Sequence, residues 1–144
     1  MRDIDAVNLR FGLDLTSVSS VRDSLAEHGD RYLERNFTPR EVDASRRGGR
    51  LDPRRLAERF AVKEATLKVL SVGDEGLDFR SIELTGDATA NALEVAMHGR
   101  AAELAAASGV TRLAVSITSD VRLAAAAVVA EIEEPGVRAV VSPR

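Results

Sequence analysis

From Ala6 to Leu15 apolar and polar residues interleave as they do in a strand, ending at Gly12-Leu13-Asp14-Leu15. Val18 to Glu27 fits a first helix, capped from the Thr16–Ser20 cluster and stopped by Gly29. A short helical turn around Tyr32–Glu34 leads to Phe37. Thr38-Pro39-Arg40-Glu41 then supplies a capping hydroxyl, a proline at N1 and a glutamate at N3, and the helix it opens should end by Gly48-Gly49. Asp52-Pro53 is a second cap-plus-proline pair. It opens the longest predicted helix, Pro53 to about Leu70, in which Leu56, Phe60, Leu67 and Leu70 recur at three- and four-residue spacing.

After a glycine-punctuated loop from Ser71 to Asp78 the period shortens. Ser81–Leu84 and Leu93–Met97 read as short strands, and Gly99–Ala107 as an alanine-rich helix ending at Gly109. Arg112–Ile117 alternates, with Leu113, Val115 and Ile117 on one face. Leu123–Ala130 reads as another strand, although its alanine run suits a helix as well. The pattern predicts an α+β chain with three or four strands. No repeat or linker divides it, so 1–134 is expected to be one domain and 135–144 a loosely held tail.

Composition narrows the chemistry. The chain has 144 residues, 23 acidic against 20 basic, for a net charge of -3. That balance argues against a general nucleic-acid coat. No cysteine is present, which excludes disulfides, thiol nucleophiles and cysteine-ligated zinc. His28 and His98 do not make an imidazole metal cluster. No long apolar run suggests a membrane span, and MRDIDAVNLR lacks the apolar core of a signal peptide, so the cytoplasm is the expected compartment.

Only Lys63 and Lys68 among the basic residues are lysines; the rest are arginines. A compact ammonium and a planar guanidinium are not interchangeable, so the two positions stand out. Glu64 and Lys68 are four apart and share a helix face. That spacing describes a solvated ion pair, or a carboxylate and ammonium presented together to a metal and a phosphate. Mg²⁺ takes one or two carboxylates, completed by water and substrate phosphates. Asp14, after the first strand, is either a turn residue or the second carboxylate.

Three blocks resemble one family in order and spacing. Gly12-Leu13-Asp14-Leu15-Thr16, Phe37-Thr38-Pro39-Arg40-Glu41 and the run from Leu56 to Lys68, LAERFAVKEATLK, are similar to the signatures of the 4'-phosphopantetheinyl transferases, specifically the short holo-acyl-carrier-protein synthases. The segment from Gly99 to Ala105 resembles the helix that follows the family's G-K-P strand. The resemblance implies the family's fold, a small antiparallel sheet packed with a long central helix, and Mg²⁺-dependent transfer of 4'-phosphopantetheine from coenzyme A to a serine of an acyl carrier protein. Asp14 and Glu64 are implied as metal ligands, Glu64 as a candidate base and Lys68 as the phosphate contact, which makes Asp14, Glu64 and Lys68 the catalytic set. Lys63 is implied as a cofactor or structural contact. Gly73, in the loop after the long helix, and Ser116 and Thr118, in the last block, are implied as cofactor contacts. A homotrimer with sites between subunits is implied as well.

The sequence departs from that pattern in four places. Ser20 stands where the family usually has an arginine, Asn91-Ala92 where it has Lys-Pro, Ser119 where it has a histidine, and Ser71-Val72-Gly73 replaces its G-T-G loop. These departures imply either a synthase specialised to one pathway or a weakened paralogue that binds a carrier protein. Residues 31–59 carry nine arginines against five acids. They read as an exposed helix face; the resemblance implies instead that the region, with Arg46, Arg47 and Arg50, meets the 3'-phosphate of coenzyme A across a subunit interface and an acidic carrier helix. Arg22 and Arg31 could add to that docking surface.

Overall fold

A computed structural model describes residues 8–72, 76–86 and 89–133. The chain runs β1 (Asn8–Ser17), α1 (Val18–His28), α2 (Asp30–Asn36), α3 (Pro39–Ala44), β2 (Arg46–Arg47), β3 (Arg50–Leu51), α4 (Pro53–Leu70), β4 (Ile82–Thr85), β5 (Glu94–Met97), α5 (Gly99–Ala107), β6 (Val110–Ser119) and β7 (Leu123–Ile132). The expected tail, 135–144, lies outside the described residues. Among the described residues no helix is long and apolar enough to cross a membrane.

The main sheet has three antiparallel strands in the order β1-β7-β6, and α4 crosses one face of it. This is the expected α+β arrangement of a small sheet on a long helix. The expected short strands, β4 and β5, pair with each other in a separate hairpin. The alanine run after Leu123 is a strand: β7 lies between β1 and β6 and is paired along both edges, which an isolated propensity for helix does not outweigh.

The helix starts follow their local chemistry. The Thr38 hydroxyl accepts from Glu41 N–H while the Glu41 carboxylate accepts from Thr38 N–H, a reciprocal capping box with Pro39 at N1. That helix stops at Ala44, short of the glycine pair, because Arg46–Leu51 turns back as a two-stranded ribbon. Asp52 caps α4 through Arg54 N–H.

The face of α4 that meets the sheet is a ridge of small residues. Ala57, Ala61, Ala65 and Val69 recur every four positions and are fully buried. The larger residues that mark the helix in the sequence point elsewhere: Leu56 packs with Val18, Val21 and Phe37, and Leu67 with Ile82 and Ala101. Opposite the ridge stand Gly12 of β1 and Ala124, Ala126, Val128 and Ala130 of β7. Small residues on both sides bring the helix axis close to the sheet, and at Gly12 the Ala65 carbonyl occupies the space of a side chain.

Among the described residues nothing covers the other face of the sheet in the single chain. Leu9, Phe11, Leu13 and Leu15 alternate along β1 and are 48–69% exposed. Register places Leu13 beside Ala127 and Ser116, and Leu15 beside Ala125 and Thr118, on this same face.

Candidate active site

The close approach of β1 to α4 sets the site. Asp14 lies two residues beyond Gly12, on the α4 side of the strand, where register pairs it with the buried Ala126. Lys68 is one turn below Glu64 on α4. Its Nζ lies 3.2 Å from Oδ1 of Asp14 and also donates to the Leu13 carbonyl. The other carboxylate oxygen, Oδ2, accepts from the Thr16 hydroxyl at 2.9 Å. Two residues fifty-four positions apart are therefore in direct contact, and Glu64 is half-buried on the same helix face.

Asp14 already holds a cation, the Lys68 ammonium, with a carboxylate and a backbone carbonyl. Hard oxygen donors of this kind suit Mg²⁺, and the site needs only these two carboxylates when phosphate and water complete the shell. Among the described residues there is no group of three or more metal-ligating side chains.

A cleft of about 530 Å³ takes in Leu13, Asp14 and Lys68 at one side and Ser116 and Thr118 at the other. Ser116 and Thr118 belong to the open face of the sheet, two strands away from Asp14, so one chain does not bring them into contact with it. Gly73 lies outside the described residues.

Lys63 has a different environment from Lys68, although both sit on α4. It is fully buried, donates to the Phe79 and Ile82 carbonyls, and lies 2.8 Å from Oε2 of Glu41. Three donors and three acceptors account for the whole ammonium. Of the two roles the resemblance implied for it, Lys63 makes the structural contact in this chain. Glu41 in turn accepts from Leu84 N–H, so this pair joins α3, α4 and β4. Burial lowers the Lys63 pKa, and the Glu41 charge opposes that shift.

The arginine-rich stretch does not converge on Asp14 within the chain. Arg46 lies 3.9 Å from Asp43, and Arg46, Arg47 and Arg50 are all exposed on the β2–β3 ribbon. Arg47 instead lines a second cleft, about 440 Å³, with Arg54, Arg55, Glu58 and Arg59. There Arg54 donates from Nε to the Ser119 hydroxyl at 2.7 Å and from Nη2 to its carbonyl at 2.6 Å, and the hydroxyl donates to Glu58. The position where the family usually carries histidine is thus part of an Arg54–Ser119–Glu58 network. Sequence reasoning passed over Arg54 and Glu58 because nothing local pairs them with a residue more than sixty positions away. It also placed Thr16 in the capping cluster of α1, where Ser17 is the cap, although the sidedness of a strand puts Thr16 on the same face as Asp14. His28, exposed at the end of α1, and His98, exposed ahead of α5, belong to neither cleft.

A carboxylate and an ammonium in contact, with a second carboxylate one helical turn away, form a donor set suited to phosphate chemistry assisted by a divalent ion. The chain belongs to the 4'-phosphopantetheinyl transferase superfamily, whose family model matches residues 10–126. It is 36% identical over 127 residues to a holo-[acyl-carrier-protein] synthase of Paramagnetospirillum magneticum, covering 85% of this chain and 95% of that relative. Among solved structures it is similar to the holo-[acyl-carrier-protein] synthase of Neisseria meningitidis, with a TM-score of 0.71 and 29% identity over 84% of this chain and 96% of the other. It is also similar to the Helicobacter pylori enzyme in complex with coenzyme A, with a TM-score of 0.72 and 26% identity over 85% and 100%.

Proposed function

We propose that this protein is a holo-acyl-carrier-protein synthase, which transfers 4'-phosphopantetheine from coenzyme A to a serine of an acyl carrier protein in the cytoplasm. The observation that carries the reading is the contact between Asp14 and Lys68 beside Glu64, on a chain that covers nearly the whole length of its synthase relatives. Asp14 and Glu64 would hold Mg²⁺. When bound, Mg²⁺ supplies charge neutralisation and polarisation of the pyrophosphate of coenzyme A.

The chain's own residues do the rest. Glu64 is the base for the carrier serine hydroxyl, whose oxygen attacks the phosphorus as the bond to 3',5'-ADP breaks. Lys68 offsets charge on the transferring phosphoryl group and the leaving group. Thr16 keeps the Asp14 carboxylate from rotating. Positioning and electrostatics supply most of the acceleration in such transfers.

Assembly as a homotrimer belongs to the same reading. The exposed Leu9, Phe11, Leu13 and Leu15 are the surface that supports it, since four large apolar side chains on one strand face favour burial. The arginines of the β2–β3 ribbon and the Arg54–Arg59 cleft are positive groups available to the phosphates of coenzyme A and to an acidic carrier.

The test is a transfer assay with coenzyme A, Mg²⁺ and a panel of apo-carriers, read by mass. A gain of one phosphopantetheinyl group on the carrier serine supports the reading, and its loss in Glu64→Gln assigns the site. No gain on any carrier would overturn the activity; full turnover in Glu64→Gln would overturn the site.

A further inference from the structure

The Asp14 carboxylate is divided between two partners of different character. Oδ2 is tied within its own strand by the Thr16 hydroxyl, whose residue is 7% exposed. Oδ1 is covered by an ammonium that reaches it from α4. The Asp14 side chain is 17% exposed and that of Lys68 is 52% exposed, so the acid is held and the base has room to leave. The lysine stem has four rotatable bonds, and its head is anchored by Asp14 and the Leu13 carbonyl at the edge of the sheet.

A metal ion and an ammonium cannot both sit on one carboxylate oxygen without strong repulsion at short range. We propose that the Lys68 ammonium is the resident counter-cation of Asp14, and that a divalent cation enters the site by exchange with it. The exchange releases Lys68 by rotation of its own side chain, and the freed ammonium then turns to the phosphate oxygens of the incoming substrate. Lys68 thus has two positions, and the metal selects between them. One consequence is order. The anion contact becomes available only once the metal has taken Oδ1, so metal binding raises phosphate affinity beyond direct chelation. The inference rests on the proposed metal role of Asp14.

The test uses Mn²⁺ as probe, titrated into the full chain without coenzyme A, with free ion read by electron paramagnetic resonance. Removing the competing ammonium in Lys68→Met should tighten Mn²⁺ binding about tenfold, equivalent to about 1.4 kcal/mol. Arg10→Met removes a positive charge from the same strand, one bonded to the Val69 carbonyl, and should change affinity by less than about twofold. Equal or weaker binding by Lys68→Met, or an equal gain in Arg10→Met, overturns the exchange. Loss of Mn²⁺ binding in Asp14→Asn keeps the metal reading intact whatever Lys68→Met does. Absence of binding by the unaltered protein overturns both.

A second readout follows Lys68 itself. Lys63 and Lys68 are the two lysines of the sequence, so in a chain labelled with ¹³C-lysine the Lys68 Cε resonance is assigned by its loss in Lys68→Met. That resonance should move on addition of Mg²⁺ to the otherwise unaltered chain and stay fixed in Asp14→Asn. A resonance that Mg²⁺ leaves in place in both, at concentrations that displace Mn²⁺, would overturn the release of the side chain.

Discussion

Gly12 of β1 lies directly against the Ala65 carbonyl of α4: a Cβ on Gly12 would come within 1.9 Å of that oxygen and 2.9 Å of its carbon. Both atoms belong to backbone, so no side-chain rotation relieves the clash. The same contact holds Asp14 at the reach of Lys68, because both lie within one turn or two residues of it.

Gly12→Ala should therefore cost about 1–3 kcal/mol of stability and also weaken the site. Urea unfolding checks the first effect. Mn²⁺ titration of the still-folded variant checks the second, and a site affinity equal to that of the unaltered chain would show that the contact does not position Asp14.

The buried Lys63–Glu41 pair should be intolerant of single changes. Lys63→Met leaves the Glu41 carboxylate buried and without its cation, at an expected cost of about 3–5 kcal/mol. Lys63→Met with Glu41→Gln should recover part of that loss, since a Gln Oε1 can still accept from Leu84 N–H. Urea midpoints of the single and double variants test this, and an equally destabilised double variant would contradict it.

Phe11→Asp places a charge in the middle of the uncovered sheet face without touching the core. The expected outcome is a monomeric chain with an unchanged far-ultraviolet spectrum, seen by light scattering, where the proposed assembly predicts a trimer for the unaltered chain. Transfer activity should fall along with assembly, because Ser116 and Thr118 stand apart from Asp14 within one chain.

Acid should destabilise the fold partly through the turn between β6 and β7. The Asp120 carboxylate accepts from the N–H groups of Leu123 and Arg122, which hold its pKa below the usual value. Hydrogen bonds from Arg80 do the same for Asp78. A folded-state pKa below the unfolded one means that the unfolded chain binds more protons in that interval. These groups therefore add stability above the unfolded value, about 3.9, and lose it as pH falls through the folded value. Tm measured from pH 6 to pH 2 should fall less steeply in Asp120→Asn than in the unaltered chain. An identical slope would remove Asp120 from the account.

The sequence by itself determined the helix starts, the long central helix and the residue types of the site. Caps and proline–acid pairs act within four residues, so Thr38–Glu41 and Asp52–Pro53 are readable without a fold. The spacing of Glu64 and Lys68 is local in the same sense. The blocks around Gly12, Phe37 and Glu64 were enough to suggest the family to which residues 10–126 belong.

Only the tertiary structure decided what each charged group does. Lys63 and Lys68 look alike in sequence, five residues apart on one helix. One faces the Phe79 and Ile82 carbonyls and Glu41 in the core, the other the Asp14 carboxylate at the edge of the sheet. The alanine run after Leu123 has no local reason to be extended, and becomes a strand because β1 and β6 pair with both of its edges. Arg54 meets Ser119, and Thr16 comes to serve Asp14, only after strands and helix have docked. Local patterns encode where elements begin and which face is apolar. The partner of a charge is set by packing between residues far apart in the chain, where small side chains such as Gly12 and Ala65 decide how closely two backbones can approach.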